Sequence, residues 1–522
     1  MLEVDIMLEK CGDFSRQQLI MLLLCSLINL LSAMHFRSYS ILNTVPKFWC
    51  ADGLDSGAPP PKYSDCNPLY TNSTNSGTCK KFNYEHYMGY QSFVSEMNWI
   101  CDEYWKINWG DSVFLAGSLI GNLVMGYLAD RMGRVPILVL ANVITILGNF
   151  LTIFGMSLEL FCIFRFITGF VINSNFFIIR ILIVEYMRPS LRTVCLNICF
   201  GFIFFLGMVS TPWLAILLGS WRRFMLLEML SIIVVPIFFY FVPESVQWLI
   251  SRQKYDEAIA SLKRVAKTNG RQIDDSVFEE FIKDCQLSQQ STKKHANLLD
   301  LFRTPRLRRT FLIMLFEFIV LPYYCKLIVY YVRRFEISPF VMSSLRATTI
   351  LPACLTGIIL KDRIGRKALA LTIRLLIVLL LSLSSVFVSH AATRLLFTFF
   401  VIGCILCHIS FHSNIQYTME LIPTCVRGQA LGAINDAFLM YIICIKYILN
   451  VPTVFLPLPE IILGVLNLMG VCFCLLLPET LNRTLPCSLE DGEKLGIDEH
   501  WYTFGCIKKR TQPEELDNSL AP

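Results

Sequence analysis

The chain has 522 residues, 54% of them hydrophobic and 16% charged, with a net charge of +6. That balance lies far from an ordinary soluble domain and places the chain in lipid. The basic residues flank apolar runs and form no domain of their own, which sets aside a nucleic-acid partner.

The first ten residues contain acids and show no cleavage pattern after a short apolar core, so no removable signal peptide is expected. Apolar runs of about 20 residues recur, the length that a helix needs to cross the hydrocarbon core. They predict spans at 17–38, 110–129, 136–156, 160–183, 194–218 and 224–242. A second set follows at 311–331, 339–360, 368–389, 394–418, 429–450 and 459–477. The expected fold is all-α and integral to the membrane, with twelve transmembrane helices. The division reads as a first six-helix bundle over 1–243, a linker over 244–310, a second bundle over 311–485 and a polar tail over 486–522.

Between the first two spans lies a polar segment, 40–108, with Cys50, Cys66, Cys79 and Cys101 and a sequon at Asn72. An even number of cysteines outside the cell predicts two disulfides, with all three pairings open. The sequon predicts a glycan. On the opposite side, Arg131, Arg134, Arg188, Arg192, Lys361, Arg363, Arg366 and Lys367 stand at helix junctions. Basic residues accumulate in the cytoplasm, so this side and both termini are expected there, most simply at the plasma membrane. A second sequon, Asn482, then stays unmodified. The linker stretches 254–267 and 274–284 read as amphipathic helices along that face.

Three charged motifs occur twice at nearly one offset. Asp130-Arg131-Met132-Gly133-Arg134 returns as Asp362-Arg363-Ile364-Gly365-Arg366, 232 residues on. Glu185 with Arg192 returns as Glu420 with Arg427, and Pro243-Glu244-Ser245 as Pro478-Glu479-Thr480, both 235 residues on. The chain is therefore a duplicated unit, the way many carriers build two halves that move against each other. Acids and bases at neighbouring helix ends can pair when the halves meet and separate when they part. The expected gate comprises Asp130, Arg131, Arg134, Glu185, Arg192, Glu244, Asp362, Arg363, Arg366, Glu420, Arg427 and Glu479.

The loop Gly126 to Arg134, and its copy from Gly357 through Arg366, resemble the signature loop of the major facilitator superfamily. Further motifs narrow the resemblance: Asn98-Trp99-Ile100-Cys101, Pro243 to Leu249, Leu301 to Arg308, Glu420 to Gly428 and Leu477 to Thr480. In this order, with the cysteine-rich cap, they are similar to the organic cation, carnitine and organic anion transporters over about residues 10–490. The resemblance implies two pseudo-symmetric six-helix bundles, the major facilitator fold. It also implies a secondary carrier for a small organic ion that works by rocking around a central pocket.

Ionisable residues inside spans are costly, so each is a candidate for the pocket. The expected substrate-binding set is Tyr323, Tyr324, Lys326, Glu317, Asp436, Trp213, Phe36 and Arg180. Tyr323-Tyr324 resembles a paired tyrosine of this family, and aromatic faces suit organic cations and planar anions. Arg165, Arg374, His412 and Lys446 also fall in spans. Charge preference is divided. Relatives that prefer cations carry an Asp in span eleven where this chain has Leu439, and relatives that prefer anions carry an Arg. Asp436, three residues earlier, can take the acid's part, whereas Lys326 and Arg180 favour an anion. The reading leans to a cation or carnitine-like zwitterion, with an organic anion exchanger and a non-transporting sensor or adaptor as alternatives. No GxSxG, HExxH or P-loop occurs, so neither an enzyme nor a cofactor or metal is expected. A homo-oligomer stays open.

Overall fold

A computed structural model describes residues 4–12, 14–50, 66, 79, 81–289, 296–321, 338–388, 393–450, 458–497, 499–500 and 502–504. Ten helices among these residues are long and apolar enough to cross a membrane. Six precede the linker: Arg16–Leu42, Cys101–Met132, Arg134–Ile153, Leu158–Tyr186, Pro189–Leu218 and Trp221–Phe241. Four follow it: Pro339–Ile364, Arg366–Phe387, Leu395–Leu421 and Leu458–Leu475. Helices Pro305–Val320 and Arg427–Asn450 stand at the predicted seventh and eleventh spans. The protein is a multi-pass membrane protein with the twelve-helix, two-bundle fold.

A span must satisfy every backbone polar group internally, and a helix does so. Outward side chains then meet lipid: Leu23, Ile163, Leu217, Ile233 and Leu379 are all exposed. Inward faces carry small residues instead. A Cβ on Gly121 or Gly169 would collide with the backbone of Phe170 or Phe114, so spans two and four touch main chain to main chain. Asn173 separates the two segments of span four and donates Nδ2 to Ser118 Oγ at 2.7 Å. Span five holds a π-helical stretch, Asn197–Ile203, and Pro212. Such bulges displace side chains from the α-helical register.

The duplication is visible in the backbone. The turns into spans three and nine pass through Gly133 at φ 112° and Gly365 at φ 98°, where a side chain would be strained. Each half also holds a buried polar cluster. In the first, Glu228 Oε2 lies 3.0 Å from His35 Nδ1, and Asn149 Nδ2 lies 2.7 Å from the same nitrogen. In the second, Arg374 pairs with Glu317 and reaches Asn467 Oδ1 at 3.2 Å.

At one end of the molecule, strands Lys47–Cys50 and Phe82–Glu85 pair antiparallel, and disulfides Cys50–Cys79 and Cys66–Cys101 tie the cap. This is one of the three pairings left open by the sequence. Asn72 lies outside the described residues. The other end, called the motif end below, carries the duplicated charges and the linker helices Tyr255–Thr268 and Asp275–Gln289. An N-terminal helix, Val4–Lys10, packs there as well.

Candidate functional site

Between the two halves lies a cavity of about 230 Å³. Phe36, Arg37, Phe176, Arg180 and Phe204 line it from the first half, and Arg346, Cys407, His408, Phe411, His412, Phe438 and Leu439 from the second. Five phenylalanines stand in its walls, with Phe36 edge-on to Phe176 at 5.8 Å and Phe176 edge-on to Phe204 at 5.6 Å. Arg180 is buried, and its guanidinium lies 4.0 Å from the Phe200 ring centroid and 5.7 Å from that of Phe411. Phe200 belongs to the π-helical stretch, which therefore shapes the bed beneath this arginine. Among the described residues Arg180 has no carboxylate partner, and no acidic residue lines the cavity.

The expected set is divided by this geometry. Phe36 and Arg180 line the cavity. Glu317 does not: it is consumed by Arg374 inside the second half and also accepts from Asn414 Nδ2 at 3.4 Å. Trp213 stands 45% exposed on the lipid side rather than in the cavity. Asp436 accepts from Asn122 Nδ2 at 2.9 Å, between spans two and eleven, while Leu439 one turn on takes the cavity position. Tyr323, Tyr324 and Lys326 lie outside the described residues. Arg37 and Arg346 were not foreseen. Arg346 sits well inside the predicted eighth span, so the rule that flagged Arg180 applies equally to it.

The motif end is closed by contacts between the halves. Asp130 accepts the backbone amides of Gly428 and Gln429, both at 2.9 Å, at the start of span eleven. A helix N-terminus presents unpaired amides, and a carboxylate there is favoured by the helix dipole. Gly126 permits this approach, because a Cβ on it would fall 2.5 Å from the Gly428 oxygen. Arg134 donates to Thr424 O at 3.0 Å, and Arg427 Nη1 donates to Glu185 Oε1 at 2.8 Å. On the duplicate side, Thr193 Oγ1 donates to Asp362 at 2.8 Å and accepts from Gln416 Nε2 at 2.8 Å.

Within each half the motifs are braced alike. Ser245 Oγ donates to Glu185 at 2.6 Å, and Thr480 Oγ1 to Glu420 at 2.5 Å. Glu244 accepts the amides of Arg134 and Val135 at 3.0 and 3.1 Å, and Glu479 those of Arg366 and Lys367 at 2.9 and 3.3 Å. Burial holds the Glu244 carboxyl above its ordinary value, and the amides of Ser245, Arg134 and Val135 offset only part of that rise.

The symmetry fails at one pair. Arg192 does not meet Glu420. It donates to Asp5 of the N-terminal helix at 2.8 and 3.0 Å, while Glu420 takes Arg366 at 3.1 Å. Arg131 and Arg363 stay exposed and join neither network, Arg131 resting 4.9 Å from the Tyr127 ring centroid.

The family model for sugar (and other) transporters matches residues 71–487. Organic anion transporter 3 of Mus musculus is 30% identical over 435 residues, covering 82% of this chain and 78% of that protein. The organic cation transporter-like protein of Drosophila melanogaster is 26% identical over 528 residues, covering 93% and 91%. Among solved structures, the proton:xylose symporter XylE bound to 6-bromo-6-deoxy-D-glucose matches with a TM-score of 0.64 at 17% identity, over 90% of this chain and 97% of that one. The inward open conformation of XylE from E. coli matches with a TM-score of 0.53 at 16% identity, over 91% and 98%. These two likenesses are of fold.

Proposed function

We propose, from the premise that this chain belongs to the sugar (and other) transporter family of the major facilitator superfamily and to its organic cation, carnitine and organic anion transporters, that its cargo is an organic anion. The observation that carries this reading is the charge of the cavity. Arg37, Arg180 and Arg346 line it, and no described lining residue is acidic. A guanidinium held in an apolar wall pairs with a carboxylate or sulfate far better than in water, because little solvent screens the contact. The phenylalanines suit a planar, apolar body on that anion. This choice reverses the leaning toward a cation, which rested on Asp436; that carboxylate is spent on Asn122.

Transport follows from the closed motif end. The buried contacts around Asp130, Glu185 and Arg427 hold the halves together there, and release of the anion on that side requires them to part. We assign the motif end to the cytoplasm, with both termini on that side, and the cap to the exterior, on the distribution of basic residues. Residence in the plasma membrane, a glycan on Asn72 and the division at 243, 310 and 485 belong to the same reading.

The test is uptake into proteoliposomes containing the purified chain. Labelled benzoate and labelled tetraethylammonium are presented in parallel, with unlabelled compound inside. Saturable benzoate uptake without tetraethylammonium uptake is expected; the opposite selectivity sinks the anion reading.

A further inference from the structure

A second cavity, of about 160 Å³, lies at the motif end of the second half. It opens where the start of span seven, the start of span nine and the end of span twelve meet the C-terminal segment. Arg306, Arg309, Lys367 and His500 line it on the polar side, and Leu475 and Leu476 on the apolar side. Leu476 is 45% exposed on the lipid-facing surface, so the cavity adjoins the acyl region.

The nearby acids are turned in large part to backbone amides. Glu493 accepts the backbone amides of Arg306 and Leu307 at 3.0 and 3.1 Å. Glu479 accepts those of Arg366 and Lys367. Glu499, which also lines the cavity, is engaged by Arg483 and by the Glu479 amide at 2.9 Å. Lys367 is buried; its Nζ lies 5.8 Å from the Phe504 ring centroid, and Glu499 and Glu479 are the carboxylates within its electrostatic reach. Arg306, Arg309 and Lys367 outnumber Glu499, the one carboxylate among the described lining residues, so the cavity favours an anion.

We infer that this cavity takes the phosphorylated headgroup of an anionic phospholipid, with the acyl chains running along Leu475 and Leu476. Basic pockets at a helix junction beside the bilayer are suited to such headgroups. A multiply charged phosphate would face Arg309 and Lys367 together, and His500 would add a donor. The site is separate from the central cavity and does not depend on which ion the protein carries.

The experiment uses the full chain in phosphatidylcholine nanodiscs, titrated with phosphatidylinositol 4,5-bisphosphate and read by native mass spectrometry. Saturable retention of the lipid is expected, falling about tenfold or more when Arg309→Gln and Lys367→Gln are combined, since each basic contact adds about 1 kcal/mol. Arg309 is exposed, so Arg309→Gln alone guards against misfolding and still weakens retention. Arg303→Gln, off the cavity and paired with Asp300, leaves retention unchanged. Equal retention by the wild type and the double variant overturns the site. Binding of soluble inositol trisphosphate as tight as that of the lipid overturns the lipid assignment in favour of a soluble phosphate.

Discussion

Arg427 and Glu185 join the two halves through a 2.8 Å ion pair in which both side chains are fully buried. Their duplicates, Arg192 and Glu420, do not pair at all. The motif end is therefore pseudo-symmetric in its bracing and asymmetric in its latch. Glu185 also receives Arg134 at 3.4 Å, so one carboxylate serves two guanidiniums.

Breaking that centre is expected to open the motif end. Removing one partner of a buried ion pair leaves the other charge uncompensated, at a cost of about 3–5 kcal/mol. Glu185→Gln is expected to separate the halves at this end. Fluorescent amino acids at the exposed positions 131 and 363, one on each half, report the separation as a fall in energy transfer. The exchange of Glu185→Arg with Arg427→Glu restores part of the signal, while Glu420→Arg with Arg427→Glu does not.

The N-terminal helix carries structural weight. Asp5 is the only carboxylate among the described residues that Arg192 engages, and Arg192 is 1% exposed. Asp5→Ala should lower the melting temperature of the purified protein by an amount equivalent to about 3 kcal/mol. Arg192→Met with Asp5→Ala recovers most of the loss, because the charge is then absent from both sides.

Glu317 and Arg374 pair inside the second half, and the pair is expected to act on stability rather than on binding. Arg374→Met should reduce folded yield and thermal stability strongly. In the protein that does fold, the KM for the anion should stay within about twofold of wild type, far below the change expected from losing a charged contact to substrate. A selective rise in KM would place this pair in the binding site after all.

The cap disulfides close segments of 29 and 35 residues. Peptide mapping without reduction should recover Cys50 with Cys79 and Cys66 with Cys101. Replacing Cys50 and Cys79 together by serine should cost the cap about 3 kcal/mol by loop-closure entropy.

The spans, the duplication and the family were legible in the sequence because each rests on local chemistry: apolar runs of membrane length, repeated charges, ordered motifs. The charges at the motif end were legible as residues and less so in their pairing: Arg131 and Arg363, for example, stay exposed and join neither network. Duplicate motifs suggest duplicate contacts, but Asp5, remote in sequence, captures Arg192. The cavity was the least legible part. Glu317, Asp436 and Trp213 are residue types that suit a binding site, yet which face of a span meets the cavity depends on helix rotation. Small shifts such as the π-helical stretch at Asn197–Ile203 change that rotation. Arg346 was legible by the same rule that selected Arg180.

The central claim is that an organic anion sits against Arg180 between the halves. Paired uptake of labelled benzoate by wild type and Arg180→Gln, at matched protein density in proteoliposomes, tests it most directly. A charged hydrogen bond is worth about 1.5–3 kcal/mol, so the KM should rise roughly 10- to 100-fold in the variant. An unchanged KM and maximal rate in Arg180→Gln would contradict the account.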